Sequence, residues 1–494
     1  MRIHSRGLSG LSRNLRLLLI PFLLQSGNGQ AQTAGSEEIQ QLRETVKALA
    51  SRVSALEAEL DRQRPAASGS NHDGPAAAAA LATAADGLKG RPGETTSLAD
   101  PVQQVPTTNT VKAPIVPTEL PGGATLNFLF DGYYEYNFND PIGRVNYLRA
   151  YDVLSNVFSI NQTGLIFELA PDPGAGRRYG FRLDLQYGQA TDTLQGNPSN
   201  ERRPQIYQDI YQAYGSYVFP AGRGLQVDFG KWSSSLGIEG NYTKDQMNYS
   251  RSYWYNFLPF YHQGVRTAYH INDKLTADYW IVNGTEQSEP TNSYKDELFG
   301  FNYAPTKSTN WTVNYYVGQD HPDTTEVASC GPAPVQPGLC YQPIIPAPNG
   351  KLHIFDSYAT WNAAPKLTLA GEADYEIERE WANAAPGQSS APSHAAGGAG
   401  YVQYQWTPKL ALALRGEYMA DPQGLFSNVS QALKEGTATL KFQAADSLDA
   451  FLEYRYDWSN QNYFLTSRPG VLTNAQPTVT LGLVWWYGGK QGAW

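Results

Sequence analysis

Acidic residues recur at every second position along segments of the C-terminal third of this chain, opposite a face of apolar residues. The carboxylates at this polar parity are Glu372, Asp374, Glu376, Glu417, Asp449 and Glu453. Because residues two apart on a β-strand project from one face, we expect these groups to form an acidic wall that attracts cations. Bases at the same parity would instead balance the charge and leave a solvated face: Arg182, Arg415 and Arg455. The sequence leaves both interpretations open.

The remaining polar residues show no catalytic arrangement. Five histidines lack a Ser or Asp partner at a recognisable spacing: His262, His270, His321, His353 and His394. The two cysteines, Cys330 and Cys340, share one Pro-rich stretch, and in an oxidising compartment we expect them to form a disulfide. A metal site there is the weaker alternative, because two thiols do not complete a coordination shell. We therefore expect no enzyme activity, no cofactor and no metal site.

The elements that carry these residues are predicted to be short β-strands. After about residue 120 the chain divides into roughly sixteen segments of period-two alternation, as where Phe181, Leu183 and Leu185 alternate with Arg182 and Asp184. Short turns rich in Pro, Gly, Asn and Asp alternate with long connections. This pattern is typical of an all-β transmembrane antiparallel barrel of about 16 strands, here residues 120–494, with both ends in the periplasm. A soluble β-sandwich would need several domains, and no Pro/Gly linker interrupts residues 125–487.

The first residues are typical of a secretory signal, and the chain as a whole is acidic. Residues 1–31 combine four arginines with a short apolar core at Leu17–Leu24 and a small-residue cleavage site. Removal of these four arginines changes the formal charge from -9 to -13. An acidic protein repels nucleic acid, so we expect no such partner. The strands would lie in the bacterial outer membrane, in contact with its lipid.

One third of the predicted barrel carries motifs of a known family. They are Gln226–Lys231, Gly237–Glu239, Asn248–Ser252, Pro259–Arg266 and Val282–Gly284. On these residues the chain resembles the β-barrel porin-2 family of OmpL-like outer-membrane porins, from about residue 125 to the C-terminus. The resemblance implies an outer-membrane channel, and it leaves the solute unassigned.

The connection from Trp232 to His262 joins the fifth and sixth predicted strands and is unusually aromatic. A fully exposed loop has little reason to be so apolar, so we expect this one to fold inside the barrel and bury its rings. In general porins, the loop after the fifth strand narrows the pore. The residues predicted to help form such a constriction are Lys231, Glu239, Tyr249, Arg251, Tyr253 and Arg266. Packing of the loop on a neighbouring protomer is the alternative.

Residues 36–64 are predicted to form a periplasmic coiled coil, and residues 65–119 a disordered Ala/Pro/Gly-rich linker. The apolar seam has alternating three- and four-residue spacing: Ile39, Leu42, Val46, Leu49, Val53, Leu56 and Leu60. Flanking charges of opposite sign, such as Glu38 and Arg43, meet only between parallel helices in register. We therefore expect a homo-oligomer, a trimer by analogy with porins, although the seam composition favours a dimer. A lone amphipathic helix on the barrel is the alternative.

Together these features predict a porin through which small hydrophilic solutes diffuse passively, with selection by width and charge at the loop. The acidic wall would give it a weak preference for cations. One rival hypothesis is a structural or adhesive barrel whose coiled coil contacts the cell wall. A second and weaker rival is an outer-membrane hydrolase, which the missing catalytic motifs disfavour.

Overall fold

The computed structural model describes residues 119–120, 122–194, 203–319, 323–325, 345–346, 350–379, 391–490 and 494. Four sequence predictions fall outside these residues: the signal, the coiled coil with its seam, the linker up to residue 118, and the pairing of Cys330 with Cys340. They stay predictions.

Sixteen long strands in the described part of the chain form one closed antiparallel barrel. In chain order they are β1 Ala124–Asn137, β2 Phe158–Leu169, β3 Tyr179–Tyr187, β4 Ile210–Phe219, β5 Leu225–Ser233, β6 Tyr261–Asn272, β7 Leu275–Val282, β8 Asp296–Thr306, β9 Thr309–Gln319, β10 Lys351–Ala364, β11 Leu367–Glu378, β12 Ser393–Thr407, β13 Leu410–Asp421, β14 Gln431–Ala445, β15 Leu448–Ser459 and β16 Ala475–Gly488. Each strand pairs with the next, and β16 closes the barrel on β1, where Phe130 lies opposite Trp485. A two-residue strand, Glu119–Leu120, extends the pairing of β1. The predicted barrel of about 16 strands is confirmed.

The connections alternate in length, so the barrel has a turn end and a loop end. Short turns lie at 170–178, 220–224, 273–274, 307–308, 365–366, 408–409 and 446–447. Both barrel termini lie at this turn end, because the number of strands is even. The sequence-based segmentation missed two of the longer connections, at 283–295 and 422–430.

The connections also hold short helices and hairpins. The helices are α1 Gln189–Leu194, α2 Pro204–Tyr207, α3 Tyr253–Phe257 and two 3₁₀ turns, Ile142–Arg144 and Thr243–Asp245. Two-residue strands pair as Thr324–Thr325 with Ile345–Pro346 and as Phe464–Leu465 with Leu472–Thr473. Among the described residues, no helix combines the length and the apolarity needed to cross a membrane.

The alternation of the sequence indicates a long connection over residues 380–397, but its last five residues belong to β12, which begins at Ser393. Its small residues are typical of a loop, yet here they permit close strand packing. A Cβ atom on Gly397 would lie 2.0 Å from the carbonyl oxygen of Tyr418, and one on Gly398 would lie 2.1 Å from that of Glu372. Glycine is therefore required by the close approach of neighbouring backbones rather than by a turn.

The outer face of the barrel is apolar and ringed by aromatic side chains. Near the loop end, neighbouring strands place aromatic rings side by side, with successive centroid distances of 5.1, 6.4, 4.9 and 6.4 Å: Tyr279, Phe299, Tyr315, Phe355 and Tyr375. Near the turn end, further outward rings are exposed: Trp311, Trp361, Trp406, Phe442, Trp485 and Tyr487. Two aromatic belts that flank an apolar band match the two interfaces of a bilayer. The opposite face of each strand encloses a polar interior.

Candidate functional site

The loop between β5 and β6, residues 234–260, lies inside the barrel; we call it the inner loop. Its aromatic side chains are buried, and Tyr242, Tyr249, Tyr253 and Trp254 expose 2% of their surface or less. Ser252 caps the N-terminus of helix α3 inside this loop, and its side chain accepts a hydrogen bond from the Tyr255 amide at 3.0 Å. Burial of these rings stabilises a path that a solvent-exposed loop would not hold.

Two carboxylates of the predicted acidic wall hold the inner loop by its backbone. Glu453 of β15 accepts the amide hydrogens of Tyr249 and Ser250, at 2.7 and 3.0 Å. Glu417 of β13 accepts those of Tyr253 and Trp254, at 2.8 and 2.9 Å. Hydrogen bonds to a charged acceptor are stronger than neutral ones. These groups therefore anchor the loop to the wall that lies across the barrel from β5.

The predicted basic residues on the inner face are all paired with acids. Arg182 binds Asp184 at 2.9 Å. Arg415 binds Glu239 of the inner loop at 2.7 Å and Glu435 at 2.6 Å. Arg455 binds Asp457 at 2.8 Å. The positive charge on this part of the wall is therefore neutralised locally.

The six predicted constriction residues are buried. Four of them lie in the inner loop (Glu239, Tyr249, Arg251 and Tyr253), and two lie on strands β5 and β6 (Lys231 and Arg266). Arg251 donates hydrogen bonds to the carbonyl oxygens of Gly240, Asn241 and Tyr249, at 3.0, 2.9 and 2.8 Å. These bonds link two separate parts of the inner loop to each other. The hydroxyl groups of Tyr249 and Tyr253 reach across to Asp131 and Asp457, each at 2.7 Å.

The second group lies on strands β5 and β6. Lys231 lies 3.9 Å above the ring of Tyr261. Arg266 binds Asp228 at 2.7 Å and packs against the rings of Tyr214 and Trp232. Glu239, the remaining candidate, belongs to the inner loop and binds Arg415 and the amide of Ser252. A role of these residues in a constriction stays a prediction.

The other predicted wall carboxylates occupy different surroundings. Asp449 binds Lys441 at 3.2 Å. Glu376 is buried on the inner face of β11. Glu372 and Asp374 on that same face meet Asp356 of β10, and oxygen atoms of the three lie within 4.8 Å of one another. Three carboxylates at such distances offer the oxygen ligands that hard cations take, and the expectation of no metal site stays a prediction.

A second connection, the one between β1 and β2, also folds inward, and nothing in the sequence pattern indicates it. Its Arg149 binds Asp152 and, at 2.7 Å, Asp457. Although burial raises the pKa of Asp152, the guanidinium groups of Arg149 and Arg455 outweigh it and lower that pKa. The hydroxyl of Tyr151 donates to Asn241 of the inner loop at 2.7 Å. Arg149 and Asp152 are three residues apart, which is not the period of a strand, so no pattern in the sequence marked them.

The C-terminal residue also contacts the inner loop. The ring of Trp494 lies 5.4 Å from that of Tyr242 and 4.1 Å from the ammonium of Lys244. Burial lowers the pKa of Lys244 to about 8, while the carboxylate of Asp245 at 2.7 Å opposes that shift. The charge of Lys244 is therefore expected to change near pH 8.

The fold and the inner loop define the class: a 16-stranded porin-type β-barrel. The family model "Putative beta-barrel porin-2, OmpL-like" matches residues 124–485, and the chain belongs to this family. The family and its barrel fold imply an outer-membrane location. No curated protein matches the chain significantly.

Several solved structures are similar in fold at low sequence identity. An anion-selective porin from Comamonas acidovorans is 10% identical, with a TM-score of 0.47 over 74% of this chain and 99% of that one. A loop-deletion mutant of the outer membrane protein OmpT of Vibrio cholerae is 9% identical, with a TM-score of 0.45 over 74% and 99%. OmpF of Salmonella typhi, in complex with daunomycin, is 11% identical, with a TM-score of 0.45 over 74% and 98%.

Proposed function

We propose that this protein is a passive diffusion porin for small hydrophilic solutes. The observation that carries the proposal is the inner loop, which Glu417 and Glu453 fasten to the wall across the barrel. A loop held in that place reduces the cross-section of a polar interior. Solutes would cross down their gradients, with size limited beside the loop and charge selected by the lining groups.

We also propose that the pore has a weak preference for cations. The predicted bases Arg182, Arg415 and Arg455 are each neutralised by an acid. Asp356 and Asp374 instead lie among carboxylates, with oxygen atoms within 4.8 Å of one another and of Glu372. Such an imbalance leaves the interior negative near β10 and β11, and a negative lining attracts cations.

A second candidate is a structural barrel with a blocked interior. The observation that favours it is the low exposure of inward side chains, since Arg455, Asp457 and Tyr253 expose essentially none of their surface. In that case the barrel would anchor a periplasmic segment, and the predicted coiled coil at 36–64 would contact the cell wall. The two candidates differ in solute flux, which only the porin supports.

Liposome swelling separates these candidates. The full mature chain is reconstituted and challenged with a neutral pentose, a neutral trisaccharide, and small organic cations and anions of matched size. We expect faster swelling than in protein-free liposomes, falling as solute size increases and higher for the cation than for the anion. The protein is first shown to be folded by its gel mobility, which differs between the unheated and the heated barrel. If this folded protein gives no more swelling than protein-free liposomes for any solute, the structural barrel is favoured.

We also propose that the chain forms a parallel homo-oligomer, a trimer rather than a dimer, through residues 36–64. The support is the heptad seam and the flanking charges of the sequence. Deletion of 36–64 should reduce the cross-linked oligomer in outer-membrane preparations, whereas deletion of 70–98, of the same length within the predicted linker, should not. An unchanged oligomer after the first deletion would contradict a role of the coiled coil.

A further inference from the structure

Three buried carboxylates meet on the inner faces of β10 and β11. In the register of this strand pair Asp356 lies directly opposite Asp374, and Glu372 lies two residues away on the same face. Carboxylate oxygens of all three lie within 4.8 Å of one another. Like charges directly opposite in a sheet destabilise it. Something must therefore offset this repulsion if the three groups are ionised.

Described protein groups supply only part of that compensation. Glu372 accepts from the amide of Ile238 and the hydroxyl of Tyr401, each at 3.4 Å. One oxygen of Asp356 accepts from the side-chain amide of Asn314 at 2.8 Å. These donors are neutral. Elsewhere on the inner wall, Asp228 and Asp449 each have a basic partner.

The carboxylate of Asp374 is paired with no basic group and no amide or hydroxyl donor in the described part of the chain, and its nearest polar neighbours are the carboxyl groups of Asp356 and Glu372. Its side chain is only 5% exposed, and neither of its oxygens accepts a hydrogen bond within the described part of the chain. The second oxygen of Asp356 accepts no side-chain hydrogen bond, and the only further donor near this carboxylate in the described residues is the backbone amide of Gly237. Buried carboxylate oxygens that lack a donor from the protein need an ion or water to complete their coordination. All three oxygens belong to groups that converge on one point.

We infer that Asp356, Glu372 and Asp374 form a binding site for a divalent cation of the calcium class. Ca²⁺ takes six to eight oxygen ligands in flexible geometry, and three carboxylates offer both the oxygens and the negative charge. Mg²⁺ is the weaker candidate, because it demands near-octahedral geometry and retains its waters. This site goes beyond the proposed diffusion of solutes and does not depend on it.

Occupancy of the site would also affect the inner loop. Glu372 contacts the loop through the amide of Ile238, and a Cβ atom on Gly237 would lie 3.3 Å from the same carboxylate. A small cavity lined by Ile238, Glu239 and Tyr401 adjoins these contacts. A cation that fixes Glu372 would therefore fix the start of the inner loop, whereas a vacant site would leave it under electrostatic repulsion.

Terbium provides the direct test, since Tb³⁺ occupies calcium sites and luminesces when a nearby tyrosine is excited. Tyr401 is a suitable donor, with its hydroxyl 3.4 Å from an oxygen of Glu372. The chelator-treated full-length barrel in detergent should give a saturable signal that Ca²⁺ displaces. Asp374→Asn should weaken Tb³⁺ binding by more than about tenfold. Glu168→Gln, a carboxylate on β2 that Lys490 neutralises at 3.0 Å, is the control and should bind as the wild type does.

Thermal unfolding keeps the test informative if one variant folds poorly. In chelator, Asp374→Asn should unfold at the same temperature as the wild type or a higher one, because a repulsive charge is lost. In millimolar Ca²⁺ the wild type should gain stability, and neither Asp374→Asn nor Asp356→Asn should gain it. Luminescence that Ca²⁺ does not displace, or equal Tb³⁺ affinity in the wild type and both variants, would overturn the site. Solute flux is not measured here, so this outcome is independent of the porin proposal.

Discussion

Glu453 of β15 binds the backbone amide of Tyr249 at 2.7 Å, and the same carboxylate also accepts from Ser250 and from the hydroxyl of Thr439. The side chain of Tyr249 continues to Asp131 of β1 at 2.7 Å. One residue of the inner loop is thus held by two strands of the wall. If the loop left this position, its buried amides and the carboxylate of Glu453 would lose their hydrogen-bond partners. The free-energy cost of these unsatisfied groups holds the loop in place.

Glu453→Ala should release this part of the inner loop. Two amides lose their acceptor, and each buried group left unsatisfied costs about 1–3 kcal/mol. We expect single-channel recordings to show larger current noise and additional conductance levels. Tyr454→Phe is the matched control, since residue 454 is the adjacent outward-facing position on β15. Identical noise in Glu453→Ala and in the control would contradict the anchoring role.

Arg149→Met should destabilise the barrel strongly. The change leaves Asp152 and Asp457 buried without this partner, and loss of one member of a buried ion pair costs about 3–5 kcal/mol. Arg149→Lys retains the charge but loses the forked geometry, so an intermediate loss is expected. Arg223→Met, which breaks the solvent-exposed pair with Asp273, should cost no more than about 1 kcal/mol. Denaturant unfolding in detergent measures all three, and equal losses for positions 149 and 223 would refute the distinction.

Gly482→Ala should disturb the inner loop from the opposite wall. A Cβ atom at this position of β16 would lie 2.4 Å from ring atoms of Tyr249. Overpacking of this kind costs about 1–3 kcal/mol. Tyr249→Leu should relieve the clash, so the double variant should be more stable than the sum of the single effects predicts. Gly416→Ala, where an added Cβ meets nothing within 4 Å, is the control. Strict additivity would show that the two residues are not in contact.

The cation preference should rise with pH through the range around pH 8. The ammonium of Lys244 has its pKa lowered to about 8 by burial, so it is charged at pH 7 and loses its proton as the pH increases. Loss of a positive charge makes the interior more negative. Lys244→Gln should have the higher cation preference already at pH 7, and its preference should not change around pH 8. The control Lys274→Gln, in the turn at 273–274, should show the same rise with pH as the wild type. Reversal potentials from pH 6.5 to pH 9.5 test this; a step that persists in Lys244→Gln would refute it.

The strands could be predicted from the sequence because one face meets lipid and the other a polar interior. Arg182 and Asp184 are buried while Phe181 is exposed, as their alternation indicates. Strand β10 is less regular, because Ile354 and Tyr358 also face inward. Apolar side chains on both faces blur the period-two pattern. That irregularity hid Asp356, although Glu372 and Asp374 on the next strand were identified.

The contacts of the inner loop could not be predicted, because they depend on the strand register and on closure of the barrel. The sequence indicated that the loop is aromatic and that Glu417 and Glu453 face inward. It contained no sign that these carboxylates accept the amides of Tyr253 and Tyr249, which lie more than 160 residues away. Backbone groups carry no sequence signature, so side chains that bind them are assigned from geometry alone.

If this barrel conducts and its inner loop limits the conductance, both properties are measurable by single-channel recording in a planar bilayer under a salt gradient. The recording compares wild-type protein with the double variant Tyr249→Ala with Tyr253→Ala. We expect discrete steps, a reversal potential of the sign given by cation preference, and a larger conductance in the double variant. A silent bilayer from folded wild-type protein, or equal step sizes in the two proteins, would contradict it.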